Sequence, residues 1–382
     1  MSDDAPPPNK LRETGKKIIA LGVSILFSFL VLETYVRLTY TSQWHIPKSA
    51  VREPGIFNAR MKPNNEVDIA LLDGGTFHVK TNERGFRGPL VSTIEGKPLR
   101  VISLGDSFTF GWGVPLEDHC MYKLMDEYKK AHADRDVGHA YVACGSWDPK
   151  DYYMGYVTEA SQAKPDLVVL GVFTGNDIMP NDLPRILDPA KYPYADKLPE
   201  PPRPWIRSFD WVRAQLSGSL VVASFRAKHS KPVAFAPFEN DMAKQKQLWD
   251  TSFFYLKALN DSIRKDGGRL ALILYPSMLQ VNTAKALDNA GYDHTMPERV
   301  LGEFCKENGI ELVTLLEALQ QNNQKQDLYF LKDRHLTVRG NEIAKGVLEQ
   351  KLRPVIDKIW EEKLRARAAA QAPAPTPAPS PN

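Results

Sequence analysis

The sequence predicts an α/β fold with a flavodoxin-like, doubly wound parallel sheet of five strands. Short β-branched runs alternate with helical segments from Leu99 to a last helix that starts near Thr337. Strands that alternate with helices are joined in parallel, and nearly continuous apolar runs are typical of strands covered on both faces. The chain of 382 residues, 43% hydrophobic and 25% charged, is long and apolar enough to enclose a large core.

The elements follow in a regular order along the chain. Residues 41–98 are rich in Pro, Gly and Asn, and we expect a lead-in segment there with a strand or two near Val67 to Val79. The main domain is expected over 99–362. Its strands are predicted at 100–104, 140–143, 167–173, 269–275 and 310–313. Its helices are predicted near 116–131, 149–163, 240–265 and 297–308 and from about Thr337.

An insertion at about 180–235 interrupts this order. It begins with a proline-rich stretch and continues into the aromatic, amphipathic run WIRSFDWVRAQLSGSLVVA. An insertion of this length is either a lid that faces a substrate or a plain surface excursion, and the sequence favours neither.

The amino end carries a membrane-targeting signal. Residues 18–32 read IIALGVSILFSFLVL without a charge and follow several basic residues. The run reaches the length of a membrane span if it extends through Tyr40, with Glu33 and Arg37 paired at i and i+4 near the membrane surface. The alternatives are a cleaved signal peptide, for which no A-x-A site follows the run, and a buried core helix. We expect a single-pass inner-membrane anchor over 18–40, with residues 1–17 in the cytoplasm and the body in the periplasm.

Composition and cysteine spacing argue against a nucleic-acid-binding protein, a disulfide-stabilised fold and a metal site. The 49 Lys and Arg against 46 Asp and Glu leave a net charge of +3, so we expect no nucleic-acid partner. Three widely spaced cysteines, Cys120, Cys144 and Cys305, give neither a disulfide framework nor a metal-ligand pair, and we expect them to be buried. No cofactor and no metal are expected, because no G-x-G-x-x-G follows the first strand and no metal signature is present. Residues 363–382, rich in Ala and Pro, are expected to form a disordered tail.

Loops at the predicted carboxyl edge of the sheet carry groups suited to acyl transfer. Ser107 follows the first strand within GDSFTFG, Gly145 follows the second, and Asn176 follows the third within TGND. Ligands of doubly wound sheets bind at this edge, and acyl transfer needs a nucleophile with hydrogen-bond donors aimed at one oxyanion. His335 lies in the loop before the last helix and can act as base, and Asp333 can orient its imidazole.

Together these blocks resemble those of the SGNH hydrolases, also called GDSL esterases and lipases. The resemblance covers roughly residues 99–351, with GDS, a lone glycine, GND and a late D-x-H in the family's order. It implies an SGNH hydrolase fold, a catalytic triad and an oxyanion hole. The implied triad is Ser107, Asp333 and His335, and the implied oxyanion hole is Ser107, Gly145 and Asn176.

Two blocks depart from the commoner family pattern. Gly175 is adjacent to Asn176 instead of two residues before it, and the last block is D-x-H instead of D-x-x-H. The shorter last block, with Pro276 and Ser277 after the fourth strand, resembles membrane-linked, polysaccharide-modifying members of the family. The resemblance therefore implies a serine esterase whose substrate is an acyl-ester small molecule or an acylated glycan, O-acetyl groups on envelope carbohydrate above all. A polysaccharide O-acyltransferase with the same triad and a non-catalytic envelope scaffold are the alternatives.

The neighbours of these residues have simpler expected roles. We expect Asp106 to hold the nucleophile turn through backbone N–H groups, and Asp177 to cap the segment after it. Trp112 either lines an acyl or sugar site or packs at its rim. Gly145 is free to supply a φ angle that other residues avoid, which is compatible with donating its N–H.

Overall fold

The computed structural model describes residues 10–39, 51–52, 60–175, 177, 208, 212 and 233–371. Several predictions fall outside these residues in whole or in part. They concern Asn176, most of the insertion at about 180–235, the tail from residue 372 onward, and residues 1–9, 40–50 and 53–59 of the predicted cytoplasmic tail, anchor and lead-in segment. The chain divides into two units. The first comprises Met1–His45 and Pro199–Ser219, and the second comprises the remainder.

The first unit contains helix α1 (Lys10–Thr39). Its stretch Thr14–Leu38 is long and apolar enough to cross a membrane by length and composition, and its apolar side chains are exposed. Arg37 Nε donates to Glu33 Oε1 at 2.8 Å, which confirms the predicted i, i+4 pair. The other Glu33 oxygen accepts from the backbone N–H of Ser208 at 2.8 Å. The predicted anchor at 18–40 therefore coincides with a continuous helix that starts earlier, at Lys10.

The second unit is organised around a five-stranded sheet in which all strands run parallel, in the order β6-β5-β7-β8-β9. This confirms the predicted α/β fold with its doubly wound sheet. The strands are β5 (Leu99–Gly105), β6 (Val137–Ala143), β7 (Leu167–Phe173), β8 (Arg269–Tyr275) and β9 (Glu311–Thr314). Gly105 pairs with Ala143 on one side and Gly171 on the other, so the carboxyl ends of the three strands are level. The strand order reverses at β5 and β7, which is where doubly wound sheets bind their ligands.

Helices cover both faces of the sheet. They are α2 (Ser107–Phe110), α3 (Cys120–Ala131), α4 (Pro149–Gly155), α5 (Met242–Lys265), α6 (Met278–Asn282), α7 (Ala284–Asn289), α8 (Met296–Asn308), α9 (Leu316–Gln321), α10 (Val338–Lys351) and α11 (Arg353–Gln371). Alternate strand residues enter two separate cores, so Val101 packs with one helix layer and Ile102 with the other. The three cysteines are buried within these cores, as expected.

The lead-in segment contributes to one of these cores. Strands β3 (Glu66–Ala70) and β4 (Thr76–Lys80) form an antiparallel hairpin, which confirms the strands predicted near 67–79. The short strands β1 (Val51–Arg52) and β2 (Arg60–Met61) pair before it. We call residues 66–80 the lead-in hairpin. Its apolar side chains that join the core are Ile69, Phe77 and Val79.

The helix predicted over 149–163 is helical over those residues, but its geometry changes from α to a π turn, Tyr156–Ala160, and then to a 3-10 turn, Ser161–Ala163. In the π turn Glu159 is buried and accepts hydrogen bonds from Arg60 and Arg84, partners that lie far away in sequence. The tail predicted over 363–382 is helical as far as Gln371, because Ala and Arg in the run LRARAAAQ are strong helix formers and the prolines come later.

Candidate active site

The candidate nucleophile lies in a tight turn at the end of β5. Gly105 has φ +154°, and a Cβ there would lie 2.2 Å from Thr109 Oγ1, so only glycine fits between the strand and α2. Asp106 caps α2, since its Oδ1 accepts the backbone N–H of Phe108 at 2.8 Å. This confirms the structural role expected of Asp106. Ser107 is thereby fixed as the first residue of α2, half-buried at the sheet edge.

The structure brings Ser107, His335 and Asp333 into one hydrogen-bonded row. His335 Nε2 lies 2.7 Å from Ser107 Oγ, and His335 Nδ1 lies 2.5 Å from Asp333 Oδ1. Beside an ionised Asp333 the imidazole carries its proton on Nδ1, so Nε2 is free to accept the Ser107 hydroxyl proton. The arrangement can therefore generate a serine nucleophile next to a general base.

Asp333 and His335 of the short D-x-H block can contact each other because the residue between them reverses the chain direction. Arg334 adopts a left-handed conformation with φ +69°. Its N–H donates to Phe330 O at 2.7 Å, and Phe330 N donates to His335 O at 2.9 Å. This closed turn directs the His335 ring back onto the Asp333 carboxylate across a single intervening residue.

Two aromatic side chains flank the His335 ring. The ring centroids of Phe108 and Trp112 lie 4.9 and 6.2 Å from it. Trp112 is half-buried and packs edge-on against Phe77 of the lead-in hairpin, with ring centroids 5.2 Å apart. Trp112 therefore packs on the hairpin, as one of its two expected roles requires, with its ring near His335.

Gly145 lies beside Ser107, as predicted, but its backbone is not left-handed. The left-handed residue of that loop is Ser146, with φ +67°. A Cβ at Gly145 would lie 3.8 Å from the Trp112 ring and 3.9 Å from Ser107 Cβ, which are ordinary contact distances. The missing side chain at Gly145 therefore serves to keep the space next to Ser107 open, and the expectation of an unusual φ angle there is wrong.

Gly145→Ala is expected to fold normally and to lose activity. The methyl group meets no atom closely in the protein but occupies space between Trp112 and Ser107 that an ester carbonyl would need. We expect kcat/KM for an aryl ester to fall by about 10- to 100-fold, with the melting temperature within about 2 °C of wild type. Gly302→Ala is the matched control, since a Cβ there has no neighbour within 4 Å. Full activity of Gly145→Ala would contradict this placement of the substrate.

The loop after β7 is described only in part, and the predicted oxyanion donor Asn176 lies outside the described residues. Asp177 is buried, and its carboxylate accepts the Phe173 N–H and the Tyr152 hydroxyl, each at 2.7 Å. It therefore fixes the end of β7, and the segment that it was expected to cap lies outside the described residues. Burial and the nearby Asp106 charge raise the pKa of Asp177 well above its ordinary value.

A polar network that the sequence does not predict begins at Thr174, directly after β7. Thr174 Oγ1 donates to Gln280 Oε1 at 3.0 Å, and Gln280 Nε2 donates to His294 O at 2.9 Å and to a Glu298 oxygen at 3.2 Å. The S-x-x-Q pattern of Ser277 and Gln280 marks a capping box, which could have identified the helix start but not the network. Burial raises the pKa of Glu298 to about 8.

Glu298→Gln is expected to stabilise the protein at high pH and not at low pH. The folded state keeps a proton on Glu298 up to a pKa of about 8, whereas the ordinary value is 4.5. Between these values the unfolded chain binds fewer protons, so the free energy of unfolding falls as pH rises through this window. We expect equal stability near pH 4 and a gain of about 1–3 kcal/mol for the variant at about pH 8.5, measured by urea unfolding. Glu303→Gln, on the exposed face of α8, is the control, and an equal effect of Glu298→Gln at both pH values would contradict the assignment.

The described part of the chain contains no group of three or more His, Cys, Asp or Glu side chains placed to hold a metal ion. The polar groups that the structure brings together at this edge of the sheet are Ser107, His335 and Asp333.

Comparison with known proteins gives matches at the level of solved structures. No family model and no curated protein matches the sequence. The acetyl xylan esterase AlAXEase is 15% identical with a TM-score of 0.40, over 66% of this chain and 98% of its own. A catalytic mutant of the acetylxylan esterase Axe2 from Geobacillus stearothermophilus is 11% identical with a TM-score of 0.41, over 67% and 94%. The lipase Lip_vut3 from a goat rumen metagenome is 13% identical with a TM-score of 0.41, over 66% and 97%.

The sequence blocks that the structure describes lie at one edge of the sheet. GDS begins at the last residue of β5, Gly145 follows β6, and D-x-H precedes α10, and all three meet at the carboxyl edge. The chain thus has an α/β fold in which a five-stranded parallel sheet carries these blocks.

Proposed function

We propose that the protein is a serine esterase that removes ester-linked acyl groups through Ser107, His335 and Asp333. One observation carries the proposal: His335 Nε2 lies 2.7 Å from Ser107 Oγ while His335 Nδ1 contacts Asp333. A hydroxyl, a base and a carboxylate that orients the base are the elements of nucleophilic acyl transfer.

The first half-reaction forms an acyl-enzyme. Ser107 Oγ attacks the ester carbonyl as His335 Nε2 takes its proton, and Asp333 stabilises the imidazolium that results. The tetrahedral intermediate collapses when the imidazolium gives this proton to the leaving alcohol oxygen. The acyl group is then esterified to Ser107, and His335 is neutral again.

The second half-reaction repeats these steps with water. A water molecule attacks the acyl-enzyme carbonyl while His335 Nε2 accepts its proton. The proton passes to Ser107 Oγ as the bond to the acyl group breaks, which releases the carboxylic acid and restores the enzyme. A sugar hydroxyl in place of water would give an O-acyltransferase from the same intermediate.

Donors next to Ser107 stabilise the oxyanion in both steps. We assign this role to the backbone N–H groups of Ser107 and Gly145 and to the side-chain amide of Asn176. The assignment is supported by the position of Gly145, where a Cβ would lie 3.9 Å from Ser107 Cβ, and for Asn176 by the sequence block alone. Such donors act where charge develops in the transition state.

We place the acyl groups, O-acetyl above all, on envelope carbohydrate, and the catalytic domain in the periplasm. The short D-x-H block supports the substrate class, since it resembles that of polysaccharide-modifying relatives. Helix α1, with several basic residues before its apolar run, supports a single-pass anchor in the inner membrane with its amino end in the cytoplasm.

Hydrolysis of p-nitrophenyl acetate by the full-length chain in detergent tests the proposal. We expect turnover that is saturable and lost on heat denaturation. A panel of glycan acceptors added to the same assay separates the two acyl acceptors, because faster acyl release with a sugar favours transfer over hydrolysis. Absence of turnover, together with saccharide binding that Ser107→Ala leaves unchanged, would contradict the esterase and favour a binding scaffold.

A further inference from the structure

We propose that Asp73, at the tip of the lead-in hairpin, is a positioning residue for the Asp333–His335 turn. The inference rests on the proposed function, because it concerns how the base of that reaction is held. It assigns a catalytic purpose to a segment that precedes the α/β sheet in sequence and contributes no residue to the triad.

The Asp73 carboxylate binds two consecutive backbone N–H groups of the triad loop. Lys332 N donates to Asp73 Oδ1 at 3.0 Å, and Asp333 N donates to Asp73 Oδ2 at 2.9 Å. A carboxylate that accepts N–H donors forms charge-assisted hydrogen bonds, which are stronger than neutral ones. The contact joins residues 260 positions apart, so it ties the hairpin to the loop across the chain.

These hydrogen bonds act on the residue that orients the base. One of the two N–H groups belongs to Asp333, whose side chain contacts His335 Nδ1 at 2.5 Å. Fixing two successive peptide units fixes the direction in which the Asp333 side chain leaves the backbone. The next residue, Arg334, has φ +69°, a conformation that is unfavourable for a residue with a side chain. Asp73 adds hydrogen bonds from outside to a turn that contains this unfavourable residue.

The hairpin tip is firmly placed for this task. Its turn is closed by Leu71 N donating to Gly75 O at 3.0 Å, and Phe77 behind it is buried in the core. A Cβ at Gly113 would lie 2.7 Å from the Phe330 ring and 3.5 Å from Leu71 Cδ2. The hairpin and the triad loop thus both pack on the chain segment after the nucleophile helix. Asp73 is thereby held where its carboxylate can set the position of the triad loop relative to the lead-in hairpin.

The test compares Asp73→Ala and Asp73→Asn with Asp68→Ala in the full-length chain. Asp68 is the matched control, since it is an exposed carboxylate of the same hairpin that pairs with His78 instead of the triad loop. Three experiments are carried out: steady-state kinetics with p-nitrophenyl acetate for kcat and KM, the second-order rate of labelling by a fluorophosphonate, and amide hydrogen exchange at residues 332–333.

For Asp73→Ala we expect kcat and the labelling rate to fall by about 10-fold, with KM within about two-fold of wild type. The amides of residues 332–333 should exchange faster. Asp73→Asn should be intermediate, because its side-chain oxygen still accepts an N–H without the charge. Asp68→Ala should match wild type in all three experiments.

The outcomes separate this inference from the proposed function. A wild-type protein that the fluorophosphonate does not label would contradict the proposed function and this inference with it. A labelled wild type with an equally reactive Asp73→Ala would overturn the inference alone, whether or not amide exchange changes. An equal loss in Asp68→Ala, or a loss that matches the fraction of unfolded protein, would also overturn it.

Discussion

Ser107→Ala is expected to lose ester hydrolysis by a factor of at least about 10³ while the fold is retained. The Ser107 hydroxyl is the group of the proposed triad that forms the acyl-enzyme, and its oxygen lies 2.7 Å from His335 Nε2. Removal of one half-buried hydroxyl should change the free energy of unfolding by less than about 1 kcal/mol. The measurement is kcat/KM for p-nitrophenyl acetate beside a thermal melt of each protein.

Ser92→Ala provides the comparison for this variant. Ser92 is exposed in the 3-10 turn Val91–Ile94, away from the sheet edge that carries Ser107. The Ser92→Ala variant should hydrolyse the ester at the wild-type rate. If Ser107→Ala also kept the wild-type rate, another residue would be the nucleophile and the triad would be misassigned.

Asp333→Asn is expected to reduce kcat by about 10³–10⁴-fold without unfolding the protein. The side-chain amide introduced at this position would donate to Nδ1 of His335, so the ring proton would move to Nε2. In that tautomer Nε2 cannot accept the proton of Ser107, although the three side chains keep their positions. The measurement is kcat for the same ester, with KM expected to change little.

A second Asp→Asn variant controls for the loss of a surface charge. Asp136 is exposed and pairs with Lys97 at 2.8 Å, outside the site. Asp136→Asn should therefore retain wild-type kcat. Wild-type kcat in Asp333→Asn would show that Asp333 does not set the tautomer of His335.

Strand positions were predictable because they depend on short-range patterns. The runs predicted at 167–173 and 269–275 are strands over those same residues. Each is a nearly continuous apolar stretch, which identifies a strand covered on both faces. The change to π geometry after Gly155 was not predictable, since it depends on Glu159, whose partners Arg60 and Arg84 are 99 and 75 positions away. Residues 363–371 are rich in Ala and Arg, which favours a helix, and the prolines that end it begin at residue 373.

In the candidate site too, residues in local sequence motifs were predictable and a residue that acts through a long-range contact was not. Ser107, Gly145, Asp333 and His335 were identified because each lies in a short block whose neighbours are local, and the structure brings all four together. Asp73 could not be found in this way. Its role depends on a contact across 260 positions, and nothing in the local sequence of a hairpin turn distinguishes it from an ordinary turn aspartate.

The most direct test of the account is to identify the residue that a fluorophosphonate modifies in the full-length chain, by mass spectrometry of the intact protein and its peptides. Activated serines react with such reagents through the same attack that the ester would receive. We expect one adduct per chain, located on Ser107 and absent after heat denaturation before labelling. An adduct on a different residue, or a folded protein that forms none, would contradict the assignment of Ser107 as the nucleophile.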